Sequence, residues 1–251
     1  MQPDVLIVGG GVAGLTAGTF TSRAGLETLI VGGDESILRR NAHLENYPGF
    51  PAGVDSRLFL DMARAQAERA GCTLAEGTVT QITHAAEEGT EGTDDEGGFE
   101  VATEDGEVYE AGRVIAASWS DSSYLEALDV ELDRRGSKQY IGTDGDGHTA
   151  VEGIYAAGRI AKQYHQTVIS AGHGAQVALT LIHDSDLQFY NDWVAPEGYF
   201  SERGRDVPPG CEEIDEEERE RRAEESRETM REWFAEPHDD EPTPHPSLAD
   251  E

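Results

Sequence analysis

The fold of this chain is decided by residues 4–14, which read Asp-Val-Leu-Ile-Val-Gly-Gly-Gly-Val-Ala-Gly. An apolar run that ends in glycines is typical of a buried parallel strand entering a tight turn. Residues 15–24 are small or apolar and predict a helix, and the apolar residues 28–31 predict a second buried strand. A strand, a glycine turn, a helix and a strand within about 30 residues form a βαβ unit.

The glycine turn follows the pattern G-x-G-x-x-G, with Gly9, Gly11 and Gly14 at the three glycine positions. In that pattern the first glycine permits the tight turn, the second lets the backbone approach a pyrophosphate, and the third allows helix and strand to pack closely. An acid that holds ribose hydroxyls should follow the second strand, where Asp34 and Glu35 are both available. The turn therefore predicts a dinucleotide site, but it does not separate NAD from FAD.

Beyond this unit the chain continues to alternate predicted helices and strands. Residues 57–70 predict an amphipathic helix with Ser56 or Asp55 as its N-cap, and Gly71 ends it. The other predicted elements are three short strands of a meander (78–82, 99–103 and 107–111), an exposed loop at 85–98, buried strands at 113–117 and 153–158, and a helix at 167–182. This alternation predicts an α/β fold.

The character of the sequence changes after about residue 184. Prolines and glycines punctuate the stretch up to residue 214, and residues 215–234 predict a charged helix with a thin apolar face. Residues 236–251 have the Pro-rich, acidic composition of a disordered end. We therefore expect a nucleotide-binding domain at 1–184 and an acidic, partly helical extension at 185–251.

The chain is strongly acidic, with 51 Asp and Glu against 19 Lys and Arg and a formal net charge of −32. This charge argues against nucleic acid and anionic membrane surfaces as partners, since both are bound through Lys and Arg. Lysine occurs only at Lys138 and Lys162, and an acid excess with almost no lysine resembles the proteins of salt-loving archaea. At molar salt the Debye length falls to about 3 Å and screens such self-repulsion, so we expect a halophilic protein. The alternative is an ordinary acidic protein with a disordered acidic tail.

Nothing in the sequence predicts export, membrane insertion or a metal site. No apolar run is long enough to span a bilayer, and no positively charged leader precedes the first strand. Cys72 and Cys211 lie far apart in the sequence and form neither a disulfide framework nor a metal-ligand pattern. We therefore expect a cytoplasmic protein without a bound metal.

Two further motifs follow the glycine turn. Residues 45–50 read Glu-Asn-Tyr-Pro-Gly-Phe, and residues 153–158 read Gly-Ile-Tyr-Ala-Ala-Gly. The three motifs in this order resemble the low-molecular-weight thioredoxin reductase family, over roughly residues 1–183. That resemblance implies a three-layer, Rossmann-like FAD-binding domain with a central parallel sheet, a helix layer and a small antiparallel meander. It also implies FAD, rather than NAD, as the cofactor.

The resemblance assigns residues to the parts of this cofactor. They are Gly9, Gly11, Ala13 and Gly14 at the pyrophosphate, Glu35 or the nearby Asp34 at the ribose, Asn46 beside the flavin, Val79 at the adenine, and Gly158, Arg159, Gln166, Thr167 and Val168 around the ribityl chain and the flavin pyrimidine edge. At that edge a helix N-terminus would stabilise negative charge on reduced flavin.

Departures from the family bear on the route of electrons. Relatives carry an inserted NADPH domain with a Cys-x-x-Cys pair. Here only residues 118–152 lie between the strand predicted at 113–117 and the final motif, and this stretch is too short for such a domain. No Cys-x-x-Cys occurs in the chain. The family's Asp beside the ribityl chain is Arg159 here. Because Arg donates hydrogen bonds where Asp accepts them, Arg159 either pairs with the FAD phosphates or marks a weakened site.

We therefore expect an FAD-dependent oxidoreductase without a disulfide active site. Its external electron donor or acceptor is a protein or a small molecule, such as ferredoxin or another reductase. The alternative is a catalytically degenerate FAD-binding or partner-binding module, and a third hypothesis, an NAD-dependent enzyme, is disfavoured by the motif at 153–158. No residue receives a catalytic role: His165 and His173 are interpreted as surface or structural histidines, and Trp119 as stacked on flavin or simply packed. A homodimer is left open.

Overall fold

The computed structural model describes residues 2–32, 36–85, 98–119, 121–136, 138–188 and 191–244. Asp34, Glu35 and nearly all of the loop predicted at 85–98 lie outside the described residues. The described α-helices are α1 (Val12–Arg23), α2 (Ser56–Ala70), α3 (Thr167–His183) and α4 (Glu216–Trp233). The described strands are β1 (Val5–Val8), β2 (Thr28–Val31), β3 (Thr73–Ala75), β4 (Val79–His84), β5 (Phe99–Thr103), β6 (Val108–Ala111), β7 (Arg113–Ala116), β8 (Leu132–Arg135), β9 (Lys138–Ile141), β10 (Ile154–Ala156), β11 (Trp193–Pro196) and β12 (Cys211–Ile214).

Five parallel strands form the central sheet, in the order β10-β7-β1-β2-β3. Strand β1 lies in the middle, where Val5 pairs with Thr28 of β2 and with Arg113 of β7. All residues of β1 and β2 are buried. A strand that is covered on both faces needs apolar residues at nearly every position, which explains the unbroken apolar runs in the sequence.

Alternate side chains of the sheet enter two separate cores. Val5 and Ile7 belong to a core shared with α1 and α3. Leu6 and Val8 point to the opposite face, as the two-residue period of a strand requires, and share a core with Phe99 of the antiparallel meander β4-β5-β6. Helices, sheet and meander thus form three layers, and the predicted α/β fold with its central parallel sheet is confirmed.

Helix α2 starts with Asp55 as its N-cap, not with the alternative Ser56. The Asp55 carboxylate accepts hydrogen bonds from the backbone N–H groups of Arg57, at 2.8 Å, and Leu58, at 3.2 Å. Ser56 is the first helical residue and is buried. Because a carboxylate satisfies two free N–H groups and complements the helix dipole, Asp55 is the better cap.

The C-terminal extension packs against the preceding part of the chain. Strands β11 and β12 pair in parallel, and α4 follows with Asp215 as its N-cap. Arg69 of α2 forms an ion pair with Glu225 of α4. Trp233, at the end of α4, packs beside the core around α2. The thin apolar face predicted for this helix is therefore used for packing at its C-terminal end.

Residues 236–244, whose composition predicts disorder, also contact the body of the protein. His238 Nε2 lies 2.8 Å from Asp61 Oδ2, and Arg39 Nη2 lies 2.6 Å from Asp240 Oδ2. These contacts join residues that are far apart in the sequence, so they leave no local pattern from which order could be predicted.

Candidate cofactor site

A cleft of about 430 Å³ opens at the carboxyl ends of the central strands, where open α/β sheets bind ligands. One wall is formed by the end of β1, the glycine turn and the start of α1. The other walls come from the segments that follow β2 and β7, from Asn46, from the start of β4 and from the start of α3. The cleft thus collects residues from five separate parts of the sequence.

The three motif glycines have different surroundings in this cleft. Gly9 has a φ of 113°, and a Cβ there would lie 2.7 Å from the Ala117 carbonyl oxygen. A Cβ at Gly14 would collide with the Gly9 carbonyl oxygen, so both positions need glycine for the fold itself. A Cβ at Gly11 would meet only Ser36 Oγ, at 3.8 Å, and both of these residues line the cleft. Gly11 therefore keeps space open for a ligand.

Two long helices begin at the cleft without a capping side chain. The N-cap residues of α1 and α3 are Gly11 and Gln166; both line the cleft, and no described side chain accepts a hydrogen bond from either first turn. Neither first turn contains an acidic residue. The helices that begin elsewhere, α2 and α4, are capped by Asp55 and Asp215. Free N–H groups and the helix dipole therefore give the cleft two sites that favour negative charge.

An amide pair joins two walls of the cleft beside the start of α3. Asn46 Nδ2 donates to Gln166 Oε1 at 2.8 Å, which links the turn after residue 44 to the α3 N-terminus. Among the described residues, the Asn46 Oδ1 atom and the Gln166 NH2 group have no further hydrogen-bond partner. The pair therefore presents one acceptor and one donor beside a helix N-terminus, which is a suitable edge for a heterocyclic ring.

The turn after β10 is fixed by a buried histidine. Gly158 has a φ of 73°, and a Cβ there would lie 2.7 Å from the Cβ of Ala13. The Gly158 N–H donates to His173 Nδ1 at 2.9 Å. Burial lowers the pKa of His173, which keeps the ring neutral and able to accept this hydrogen bond. His173 is thus a structural residue that ties the turn to α3, while Gly158 itself packs against Ala13 of α1.

Arg159 lines the cleft and is held by the protein itself. Its Nη1 donates to the Gln163 carbonyl oxygen at 2.9 Å and its Nη2 to the Tyr140 hydroxyl at 2.8 Å. The guanidinium carbon lies 5.1 Å from the centroid of the Tyr140 ring. Its Nε is buried without a partner among the described residues. A fixed cation with a spare donor fits an anionic ligand group better than ribityl hydroxyls that need an acceptor.

One aromatic pair and one hydroxyl pair complete the cleft. The Trp119 and His165 rings lie 4.5 Å apart between centroids, and both residues line the cleft. The Tyr124 hydroxyl lies 2.8 Å from Ser118 Oγ. Burial raises the pKa of Tyr124, so its hydroxyl stays protonated. These contacts pack the segment after β7 against the rest of the site.

The cleft contains most of the predicted site residues that the structure describes. Those that line it are Gly9, Gly11, Ala13, Asn46, Val79, Arg159, Gln166 and Thr167. Gly14 and Gly158 lie behind the lining and allow close packing, and Val168 is exposed on α3. Sequence reasoning missed Gly32, Ser36, Ser118 and Tyr124 as lining residues. Only Gly32 left a local signal, a glycine directly after a buried strand.

The cysteines have separate surroundings. Both are free, with Cys72 Sγ lying 3.2 Å from Ser22 Oγ and Cys211 Sγ lying 3.9 Å from the Asn191 carbonyl oxygen. Burial raises the pKa of the Cys72 thiol. The described residues hold no cluster of three or more His, Cys, Asp and Glu suited to a metal ion. Within the same residues, no helix combines the length and the apolarity that crossing a membrane requires.

Sequence comparisons identify relatives of two parts of the chain. Residues 4–38 match the FAD binding domain family, and residues 54–175 match the pyridine nucleotide-disulphide oxidoreductase family. A thioredoxin reductase from Listeria monocytogenes is 31% identical over 145 residues, which are 57% of this chain and 42% of the relative. A thioredoxin reductase from Streptomyces coelicolor is 38% identical over 82 residues, or 32% of this chain and 26% of the relative. The chain therefore spans less than half the length of these curated relatives.

Solved structures share the fold at low sequence identity. An oxidoreductase from Agrobacterium tumefaciens superposes with a TM-score of 0.64 at 17% identity, over 73% of this chain and 98% of that chain. A thioredoxin reductase from Gloeobacter violaceus gives a TM-score of 0.60 at 15% identity, over 74% and 97% of the two chains. At these identities the likeness establishes the fold.

The sequence and structure comparisons both find thioredoxin reductases similar to this chain, and the sequence match includes residues that line the cleft. The match to the FAD binding domain covers β1, the glycine turn and α1, which form one wall of the site. The prediction of FAD as the cofactor is thereby confirmed. Residues 4–38 are thus similar to FAD binding domains, residues 54–175 are similar to pyridine nucleotide-disulphide oxidoreductases, and the relatives that the chain matches over part of its length are thioredoxin reductases.

Proposed function

We propose that this protein is an FAD-dependent oxidoreductase that takes electrons from an external donor rather than through a second nucleotide-binding domain of its own. The observation that carries the proposal is the pair of uncapped helix N-termini, those of α1 and α3, at one cleft. FAD matches both, because its pyrophosphate is anionic and the pyrimidine edge of its flavin becomes negative on reduction. When bound, FAD supplies the redox chemistry, while the protein orients and tunes it.

Different residues of the chain can bind different parts of this cofactor. Gly11 leaves room for phosphate oxygens to reach the first N–H groups of α1. Asn46 and Gln166 present amide groups to the flavin edge, beside the free N–H of Thr167 in the first turn of α3. Arg159 adds a positive charge that is already held in place. None of these residues needs to change its proton content, so their role is binding and electrostatic tuning.

An external donor is supported by the segment between β7 and β10. The described part of residues 117–153 contains a 3-10 turn at Ser123–Leu125 and the antiparallel hairpin β8-β9. A domain needs roughly 50 residues or more to form its own core. We therefore infer that this segment holds no second nucleotide-binding domain and that one side of the cleft is open to a carrier. Such a carrier would meet the protein in the cytoplasm, where we propose that it works.

The second candidate is a module that binds FAD or a partner without turnover. Arg159 favours this candidate, because an arginine cannot accept hydrogen bonds from ribityl hydroxyls. The separate surroundings of Cys72 and Cys211 favour it as well, since the chain then has no local dithiol to receive electrons. The two candidates differ in whether bound flavin is reduced and reoxidised in turnover.

The test is anaerobic reduction of the FAD-loaded protein, followed as bleaching of the flavin absorbance band. We expect reduced ferredoxin to bleach the flavin and an added electron acceptor to restore the colour repeatedly, with NADPH alone acting far more slowly. Equal rates with NADPH and ferredoxin would contradict the external donor. Flavin that stays oxidised with every physiological donor would support the module. Arg159→Asp, which restores the family's acid, is the matched variant for FAD affinity.

A further inference from the structure

One side of the cleft mouth is basic in an otherwise acidic protein. We call Arg135, Lys138, Arg159 and Lys162 the basic rim. It contains one paired carboxylate, Asp133, whose Oδ2 lies 3.0 Å from Arg135 Nη2 and 3.2 Å from Lys162 Nζ. The whole chain has 51 acidic against 19 basic residues, and both of its lysines belong to this rim. In this rim, basic side chains therefore outnumber acidic ones, whereas acidic residues dominate the chain as a whole.

Aromatic rings connect the basic rim to the cleft. Lys138 Nζ lies 5.8 Å from the centroid of the Trp119 ring, and the Arg159 guanidinium lies 5.1 Å from that of Tyr140. Trp119 and Arg159 line the cleft, which places both cations at its mouth. Burial lowers the pKa of His165 beside Trp119, and the charges of Arg159 and Lys138 lower it further. Positive potential from the rim therefore extends into the site.

Lys138 and Arg159 are uncompensated cations. No carboxylate of the described residues lies within ion-pair distance of either side chain. Many basic side chains elsewhere have such partners, as Arg23 has in Asp192 and Arg222 has in Glu212 and Glu218. Among the described residues, Arg40, Arg113, Arg134, Arg203 and Arg205 also form no ion pair, but both lysines of the chain lie in the rim. Arg159 lines the cleft, where the cofactor would neutralise it, so Lys138 is the cation left at the mouth for an anion that comes from outside.

The rim suits a broad partner better than a small ligand. Arg135, Lys138 and Lys162 lie outside the cleft lining, and the Arg135 side chain is 68% exposed. A few residues after Lys162 in the sequence, Tyr164 is 78% exposed and Val168, in the first turn of α3, is 40% exposed. Exposed aromatic and arginine side chains are enriched where proteins contact each other. A protein surface can reach all of these side chains at once, whereas an anion inside the cleft cannot.

The backbone of the rim is also unusual. Lys162 has a φ of 64°, and among the described residues it is the non-glycine residue with positive φ. Residues with side chains rarely adopt this conformation, and such strain concentrates at functional sites. The turn thus holds a lysine where glycine would fit with less strain, and its ammonium group joins the basic rim.

We propose that the basic rim, with Tyr164 and Val168 beside it, is the docking surface for an acidic protein electron carrier. This inference rests on the proposed function, because it names the class of partner that would reach the open side of the cleft. Opposite charges on the two surfaces would accelerate encounter and fix the orientation of the carrier. The exposed apolar side chains would supply contact area between the charges.

The test measures binding of an acidic [2Fe–2S] ferredoxin to the FAD-loaded full chain by titration calorimetry, at the lowest salt concentration at which circular dichroism shows the wild type folded. The double variant Arg135→Glu with Lys138→Glu should weaken binding by about tenfold or more, because like charges then face each other. Arg205→Glu is the matched control, since it reverses an exposed base outside the rim and should leave affinity unchanged. FAD content and unfolding temperature of each variant show whether it has folded.

The possible results distinguish the docking surface from the proposed function. Weaker binding in the rim variant alone, with unchanged FAD content, supports the docking surface. Equal binding by wild type and rim variant, or no ferredoxin binding to the wild type, overturns it while leaving the proposed function standing. A protein that holds no FAD overturns the proposed function, whatever its affinity for ferredoxin.

Discussion

We expect glycine at position 11 to be required for cofactor binding and not for the fold. Its φ of −82° and ψ of −177° suit any residue, and an added Cβ would meet only Ser36 Oγ at 3.8 Å. Gly11→Ala should therefore change the free energy of unfolding by less than about 1 kcal/mol, since lower backbone entropy in the unfolded state offsets a poorer N-cap. The same methyl group would keep phosphate oxygens from the α1 N–H groups. Losing one charge-assisted hydrogen bond costs about 1.5–3 kcal/mol, which raises the FAD Kd roughly 10- to 150-fold.

Two measurements on each protein test this reasoning: thermal unfolding with and without FAD, and FAD titration by flavin fluorescence. Gly25→Ala is the matched control, because Gly25 has a φ of 95° and nothing within 4 Å of an added Cβ. That substitution should cost about 1–2 kcal/mol through backbone strain and leave the FAD Kd unchanged. The reasoning is refuted if Gly11→Ala binds FAD as tightly as the wild type. It is equally refuted if Gly25→Ala weakens FAD binding by the same factor.

Three further predictions concern pH and salt. Burial lowers the pKa of His173, so the stability from its hydrogen bond to Gly158 is fully present above the ordinary histidine pKa of 6.5 and is lost as the pH falls below that value. In thermal unfolding, His173→Gln should flatten this decline. Asp144 and Asp184 raise the pKa of His148, so its contribution to the free energy of unfolding is fully present below pH 6.5 and is lost as the pH rises through the raised pKa. In thermal unfolding, His148→Gln should abolish this decline. Finally, a chain of net charge −32 should lose stability when molar salt is removed, and identical circular dichroism and unfolding temperature at low and molar salt would contradict this.

Strands buried on both faces are predictable from the sequence to within about two residues, as the strands predicted at 113–117 and 153–158 are observed at Arg113–Ala116 and Ile154–Ala156. Val5–Val8 and Thr28–Val31 occur as predicted, because only apolar side chains tolerate that position and glycines mark the turn. The start of α1 at Val12 lies three residues before the predicted one, since the glycine turn runs directly into the helix. Local chemistry therefore specifies the elements, while their exact ends depend on neighbouring turns.

The site is predictable only where a motif reports on it. Gly9 and Gly11 are found because a nucleotide turn needs glycine at these spacings. Ser36 and Tyr124 reach the cleft through packing of segments that are distant from the motifs, and such contacts leave no periodic signal. The basic rim is a further example, since it arises from the placement of β8-β9 beside the turn after β10.

If the two uncapped helix ends form an FAD site, the visible absorbance spectrum of the protein shows it most directly, recorded in high salt after saturation with FAD and removal of free cofactor. We expect flavin bands that correspond to about one FAD per chain, as one preformed cleft requires. A folded protein that stays colourless after this treatment would contradict it.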